Sequence, residues 1–333
     1  MNRASNSFFL SPVFILLILA SSWSFNVNAD RGSIYYSPEN VRVSEDAQKA
    51  IILHNLEEEV LILGMDLKAD KKIGIVTFIP FPSEPQVSLA PDQAFENAAA
   101  MIKKYGLKYL VASGATKGGP ATTAAEGVEI HLNKKLGAHD LTVIKVNDVS
   151  TFRKWVNDFF KSKGLPLKEA YPEEEAVVDD YVKRGIIYFV LDFVEVLAET
   201  RFIEPVIYKF KSKELYYPLK TSNTFGGSGS IELIILAPTN LFVPGDSLFY
   251  LGGLDAEGDS GFSFLPMQAS TSARISKDDE NIKGIYPEGE NFFKGHAAFI
   301  QVVRFIGKYD FKNDIFIDAS KDLLHGAVEG GQK

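Results

Sequence analysis

The chain has 333 residues, 46% hydrophobic and 23% charged, with 43 acidic residues against 35 basic ones and no cysteine. The resulting net charge of −8 makes it a poor binder of nucleic acid or any other polyanion. Without cysteine there are no disulfides, no thiolate chemistry and no lipid-acceptor thiol.

The chain starts "MNRASNSFFLSPVFILLILASSWSFNVNA", with a positive charge at Arg3, an apolar stretch from Phe8 to Ala20 and a small-residue junction at Val27 and Ala29. That is the plan of a secretory signal peptide, and cleavage is predicted after Ala29, leaving Asp30 as the first mature residue. The apolar core is shorter than the roughly 20 residues of a spanning helix and Pro12 interrupts it, so an uncleaved anchor is the second reading. A signal peptide on a chain without cysteine points to prokaryotic export. The remaining 304 residues suffice for one large domain or two of ordinary size. The most apolar later run, "GIIYFVLDFVEVLAE", carries Asp192 and Glu195, so no transmembrane segment is expected after the signal peptide.

From Gln48 to Leu67, "QKAIILHNLEEEVLILGMDL" reads as two β-rich runs around a polar centre, and "IGIVTFI" adds a third, which predicts antiparallel strands. "IPFPSEPQV" then places three prolines in nine positions. Pro82 and Pro85 have the Pro-x-x-Pro spacing of a docking segment. The large apolar neighbours Phe78, Ile79 and Phe81 favour a stiff corner instead, in which Pro80 and Pro82 withhold N–H donors and end sheet pairing. "PDQAFENAAAMIKKYG" places Phe95, Ala98, Ile102 and Tyr105 on one helical face and stops at Gly106. Residues 113–127, "SGATKGGPATTAAEG", have almost no apolar anchor and read as a solvated loop.

"VEIHLNKKL" and "DLTVIKV" are strand-like. The next helix is expected over "NDVSTFRKWVNDFFKSKGLP", with Asp148 as N-cap, an apolar face at Val149, Phe152, Val156 and Phe159, and Gly164 and Pro166 beyond its end. "YPEEEAVVDDYVKRG" opens on Pro172 and three glutamates, where the helix dipole favours them, and closes on Lys183, Arg184 and Gly185. "IIYFVLDFVEV", "EPVIYKFKS", "LYYPL" and "IELIILAP" follow as β-rich runs. Beyond Leu241 the chain is loop-rich; "GHAAFIQVVRFIGKY" is ordered but of ambiguous state, and the tail is frayed. Strands and helices mix without strict βαβ alternation, so the expected class is α+β, with mostly antiparallel sheets and about three packed helices. The expected layout is a signal peptide at 1–29, an α+β domain at 30–240 open to a split near 113–127, and a loop-rich C-terminal region at 241–333.

Five ordered blocks carry a resemblance: "AQKAIILHNLEEEVLIL", "IPFPSEPQVSLAP", "WVNDFFKSKGLPL", "VVDDYVKRGIIYFVLDF" and "YYPLKTSNTFGGSGSIELIILAP". Together they resemble the family of exported prokaryotic proteins known as domain of unknown function 2330, from Ile34 to Pro238. The resemblance implies an exported domain, often near the cell envelope, with no assigned reaction and no catalytic residues to carry over. It also implies a variable loop at 113–127.

"GDSL" at 245–248 and "DLLH" at 322–325 are similar to hydrolase blocks in which Ser247 would be the nucleophile, His325 its base and Asp322 the orienting carboxylate. The serine comes too late in the chain, and the intervening residues are too few to build a doubly wound sheet. "EGDSG", with Ser260, lacks the glycine that follows in serine proteases, and Lys117 in "GATKGGPATT" lacks the P-loop context; both read as loops. Of the five histidines, His54, His131, His139, His296 and His325, only His131 and His139 sit where a hairpin would let them share a metal, and two exposed hairpin histidines are the commoner outcome. The acidic runs at 57–59 and 173–175 read as a solvated strand start and a helix start, and "DAEGDSG" lacks the calcium-loop pattern.

The sequence therefore supports an exported, non-enzymatic binding or structural component at the cell envelope or outside the cell. Its expected partner is an envelope protein or ligand, and no cofactor, metal or catalytic residue is assigned. The alternative is an extracytoplasmic hydrolase with an unrecognised active site.

Overall fold

The computed structural model describes residues 32–35, 43–45, 48–69, 73–109, 128–136, 139–147, 149–165, 167, 169–196, 201–224, 228–241, 249–254, 260–265, 267–276 and 278–320. The leader with its Ala29 junction, the 113–127 loop, Asp148 and Pro166 lie outside them. The first half contains β1 (Gly32–Tyr35), β2 (Val43–Glu45), β3 (Gln48–His54), β4 (Glu58–Ala69), β5 (Ile73–Phe81), β6 (Gln86–Leu89), α1 (Ala94–Lys104), β7 (Val128–Leu136), β8 (His139–Val146) and α2 (Val149–Ser162). Then come α3 (Pro172–Lys183), β9 (Tyr188–Val196), β10 (Arg201–Lys211), β11 (Leu215–Tyr217), a 3-10 turn (Lys220–Thr224) and β12 (Ser228–Ala237). The last third holds β13 (Phe249–Leu254), β14 (Ser260–Leu265), β15 (Met267–Ala269), β16 (Ala273–Ile275), α4 (Glu280–Ile285), α5 (Gly289–Phe292), β17 (Ala298–Lys308) and β18 (Ile315–Ile317).

The strands build a five-stranded sheet in the order β1-β5-β9-β8-β7, a nine-stranded sheet along β15-β17-β12-β3-β4-β10-β6 with β16 on β17 and β2 on β4, and a four-stranded sheet β11-β18-β13-β14. Pairing is mostly antiparallel, with β12 and β3 running parallel, so the class is α+β.

Strands β3 and β4 are apolar at consecutive positions because both their faces are covered. Ala50, Ile52, Leu61 and Leu63 belong to one buried cluster, while Ile51, Leu53, Val60 and Ile62 belong to the other. The second cluster is closed by the helices, through Ala94, Ala98 and Met101 of α1, Ile282 and Ile285 of α4 and Phe292 of α5. Gly64 permits this close approach: a Cβ there would lie 2.7 Å from the Phe95 ring of α1. On the opposite face the five-stranded sheet packs against β10, where Phe81 sits 5.2 Å from Tyr208 and 5.1 Å from Phe210, ring centre to ring centre. Its far side takes α2 and α3, with Tyr181 edge-on to Phe189 at 6.2 Å. The order is helices, sheet, sheet, helices.

The proline-rich stretch is the crossover between the two large sheets. Pro80 does not end pairing, contrary to the expectation: Pro80 and Phe81 remain in register with Phe189 and Tyr188 of β9. Strand β1 covers the other edge of β5 only from Ile75 to Phe78, so a residue without an N–H donor is tolerated at Pro80. Residues 82–85 then carry the chain to β6, which pairs with β10 in the nine-stranded sheet. The segment "AFIQVVRFIGK", ambiguous in sequence, is β17, paired with β12 from Phe299 to Lys308. Its period-two alternation sends Ile300 and Val302 to one core and Val303 and Phe305 to the other. Among the described residues no helix is long and apolar enough to cross a membrane.

Candidate functional site

Three buried polar constellations occupy the space between layers. In the first, His139 places Nδ1 2.6 Å from Asp192 Oδ2 and Nε2 2.8 Å from the Glu204 carbonyl oxygen. A carbonyl only accepts, so Nε2 carries hydrogen and is tied to backbone; the nitrogen that would activate a nucleophile in an Asp-His pair is already used. This corrects the reading of His139 as an exposed hairpin residue. It also removes the metal reading: His139 pairs with Leu136, whereas His131 falls at the bulge opposite Val143 and Ile144, about 15 Å away along the strand. The side chain of His131 lies outside the described residues.

In the second constellation, Asp314 accepts from the Tyr181 hydroxyl at 2.7 Å and the Lys220 backbone N–H at 2.9 Å, and pairs with Arg184 at 2.8 Å. Asp180 bridges Arg184 and the Lys220 ammonium, at 2.9 and 2.6 Å. Burial works against the Arg184 charge, but Asp314 and Asp180 outweigh it and hold the guanidinium protonated beyond its ordinary range. Burial pushes the Tyr181 phenol well above its usual value. Opposite charges are balanced two against two, and the cluster locks α3 to the 3-10 turn and the start of β18.

The third lies at the β3–β4 turn, where His54 and Glu59 are both fully buried with Nδ1 and Oε2 3.5 Å apart. Glu59 also accepts from the Tyr216 backbone N–H at 2.7 Å, while the Tyr216 hydroxyl donates to the Pro80 carbonyl at 3.1 Å. Burial raises the Glu59 carboxyl above its ordinary range. The expectation of a solvated strand start at 57–59 therefore fails at Glu59, because the strand alternation turns every second side chain inward. In the other acidic run, Glu175 forms a two-pronged pair with Arg153 at 2.6 Å and Glu174 is buried.

Above the third constellation is an open cleft of about 770 Å³ lined by Leu56, Glu57, Lys211, Lys213, Glu214 and Asp318. A smaller cleft of about 290 Å³ shares Lys211 and adds Ser83, Glu84 and Lys209. The turn between them is rigid. Asn55 Oδ1 accepts from the backbone N–H groups of Glu57 and Glu58, and its Nδ2 donates to the Phe292 carbonyl at 2.8 Å. Leu56 takes φ +78°, and Lys294, paired with Glu57, takes φ +51°; these are the non-glycine residues with positive φ among those described. Leu56 lies in the β3–β4 turn and Lys294 in the connection from α5 to β17, and the Asn55 hydrogen bonds hold the Leu56 backbone in a conformation uncommon for a residue other than glycine.

Ser247, Lys117, Asp322 and His325 lie outside the described residues, and Ser260 begins β14. Among the described residues no three His, Asp or Glu side chains gather as a metal set. The sequence pointed to hydroxyls and histidines in loops; the buried pairs were hidden because each partner lies on a different element.

A family model described as an uncharacterised protein conserved in bacteria, DUF2330, matches residues 29–242. The chain belongs to this family. No curated protein matches it. Among solved structures, this family member is similar to baculovirus P35, with 6% identity, a TM-score of 0.40 and coverage of 83% of this chain and 97% of that one. A mutated baculovirus P35 after caspase cleavage gives 7% identity, a TM-score of 0.37 and coverage of 84% and 100%. P35 in its complex with caspase-8 gives 7%, 0.35, 83% and 97%.

Proposed function

We propose that this family member is an exported protein that works by binding, presenting the cleft at the β3–β4 turn to a protein or ligand of the cell envelope. The observation that carries the reading is the construction of that cleft: two lysines and three carboxylates line it together with Leu56, on a turn that Asn55 ties to the Phe292 carbonyl. A cleft lined by charges of both signs on a hydrogen-bonded turn suits recognition of a surface of mixed charge. The candidate acid-base pairs, by contrast, serve as clamps between layers. The leader at 1–29 supports export, with Asp30 as the mature N-terminus.

The test is a photo-crosslinking residue at Lys213 in the producing bacterium, followed by fractionation and mass spectrometry. The expected result is a mature chain starting at Asp30 outside the cytoplasm and a discrete adduct that disappears in Glu57→Lys/Glu214→Lys. A cytoplasmic chain starting at Met1 sinks the export half; a chain without an adduct sinks the binding half. Fluorophosphonate labelling of Ser247 or Ser260 would establish the hydrolase instead.

A further inference from the structure

A third cleft, of about 440 Å³, lies on the other side of α5, between the β16 edge and the segment leading into β17. Its volume falls in the range of small-molecule sites. The inner wall is apolar, made by Ile282, Phe293 and Ala298, all buried in the helix-side core. Arg274, Ser276 and His296 stand on the rim, and all three are exposed. Arg274 has no ion-pair partner among the described residues, whereas His296 is near enough to Glu57 to lower its carboxyl. Glu290, the carboxylate on this rim, is neutralised by Lys283 at 2.6 Å. Lys294 at φ +51° and Gly295 at φ +84° turn the chain immediately before His296 and bring it to the mouth of the cleft.

We propose that this cleft binds a small organic anion with a flat apolar body, its carboxylate or sulfonate held by the Arg274 guanidinium and its ring laid along the wall at Ala297 and the outer edge of Phe293. The pairing follows from the two halves of the wall. An apolar wall excludes water from one face of a ring, and a guanidinium with no carboxylate partner among the described residues supplies two parallel N–H donors to a planar anion. Arg274 sits on β16, which in the nine-stranded sheet pairs with β17, so its backbone is anchored along one edge while the side chain is exposed. The site is separate from the β3–β4 cleft, and the failure of either proposal leaves the other standing.

The probe is 1-naphthalenesulfonate, titrated by fluorescence into the purified chain, with naphthalenemethanol as the uncharged counterpart and inorganic phosphate as charge without a ring. Saturable one-to-one binding is expected, weaker by about tenfold or more for the alcohol, for phosphate and for Arg274→Gln. Ala297→Phe, which places a ring in the cleft, should abolish binding while the melting temperature of both variants stays within about 2 °C of the parent. Equal binding of the alcohol, or undiminished binding by Arg274→Gln, would show adhesion to apolar surface and overturn the proposal. So would the lack of any saturable binding in the folded parent.

Discussion

His54 and Glu59 are opposite each other in the β3–β4 ladder, with side chains fully buried and ring nitrogen and carboxylate oxygen 3.5 Å apart. Glu59 folds into a place where its charged form is penalised, since burial raises its carboxyl above the ordinary 4.5. A raised carboxylate contributes stability that is complete below the unfolded value and is lost as pH rises through the folded one. Glu59→Gln keeps an acceptor for the Tyr216 N–H and removes the titration. The variant should therefore gain on the parent as pH rises above the unfolded carboxylate value of about 4.5, and the margin should level off once pH has passed the raised folded value. Melting temperatures across that range decide it; a margin that does not change with pH would show that His54 keeps Glu59 ionised throughout.

The Asp314 clamp should behave as a buried pair whose removal from one side is costly. Asp314→Ala takes from Arg184 the fully buried one of its two carboxylates, leaving Asp180 to balance both Arg184 and Lys220, and is expected to cost about 3 to 5 kcal/mol in urea denaturation. Replacing both partners, with Arg184→Met and Asp314→Leu, should recover more than half of that loss. If the double variant is no better than the single one, the hydroxyl of Tyr181 and the N–H of Lys220 depend on Asp314 more than the charge balance does.

At Asp279 the sign is opposite. Burial works to raise its carboxyl, but hydrogen bonds from Lys104, Asn281 and Tyr105 prevail and hold it at about 2 rather than 3.8. Its contribution is present above the unfolded value and is lost as pH falls toward about 2. Asp279→Asn retains the α4 cap and should cost about 1 to 2 kcal/mol at pH 7. The two proteins should converge in stability near pH 2 to 2.5, measured by chemical denaturation; a cost that persists there would make Asp279 a packing residue rather than a charge.

At the sheet crossover the ring should matter more than the prolines. Phe81→Ala removes a fully buried ring from between Tyr208 and Phe210 and is expected to cost about 3 to 5 kcal/mol. Replacing Pro80 and Pro82 together by alanine should cost about 0.5 to 2 kcal/mol, through a looser unfolded chain. Equilibrium midpoints rank the two. A larger effect from the prolines would place the corner's rigidity above its packing.

What the sequence determined by itself was local. The spacing of Ala98 and Ile102, the prolines and glycines at helix ends, and the unbroken apolar run from Ala50 to Leu53 specify helices and two-faced strands, because periodicity and backbone sterics act within a few residues. The five ordered blocks identified the family from the same short-range information. Only the tertiary structure decided which strands are neighbours. It brought β12 beside β3 in parallel, set β17 in the nine-stranded sheet, and closed His139 on Asp192 across 53 positions of chain. It also decided which polar residues are buried: Glu57, Glu58 and Glu59 are chemically alike in sequence, yet only Glu59 faces the inter-sheet space, while Glu57 meets Lys294 at the surface. Contacts between distant elements depend on how whole layers pack, and hydrophobic burial, being non-directional, leaves no short-range pattern that names the partner.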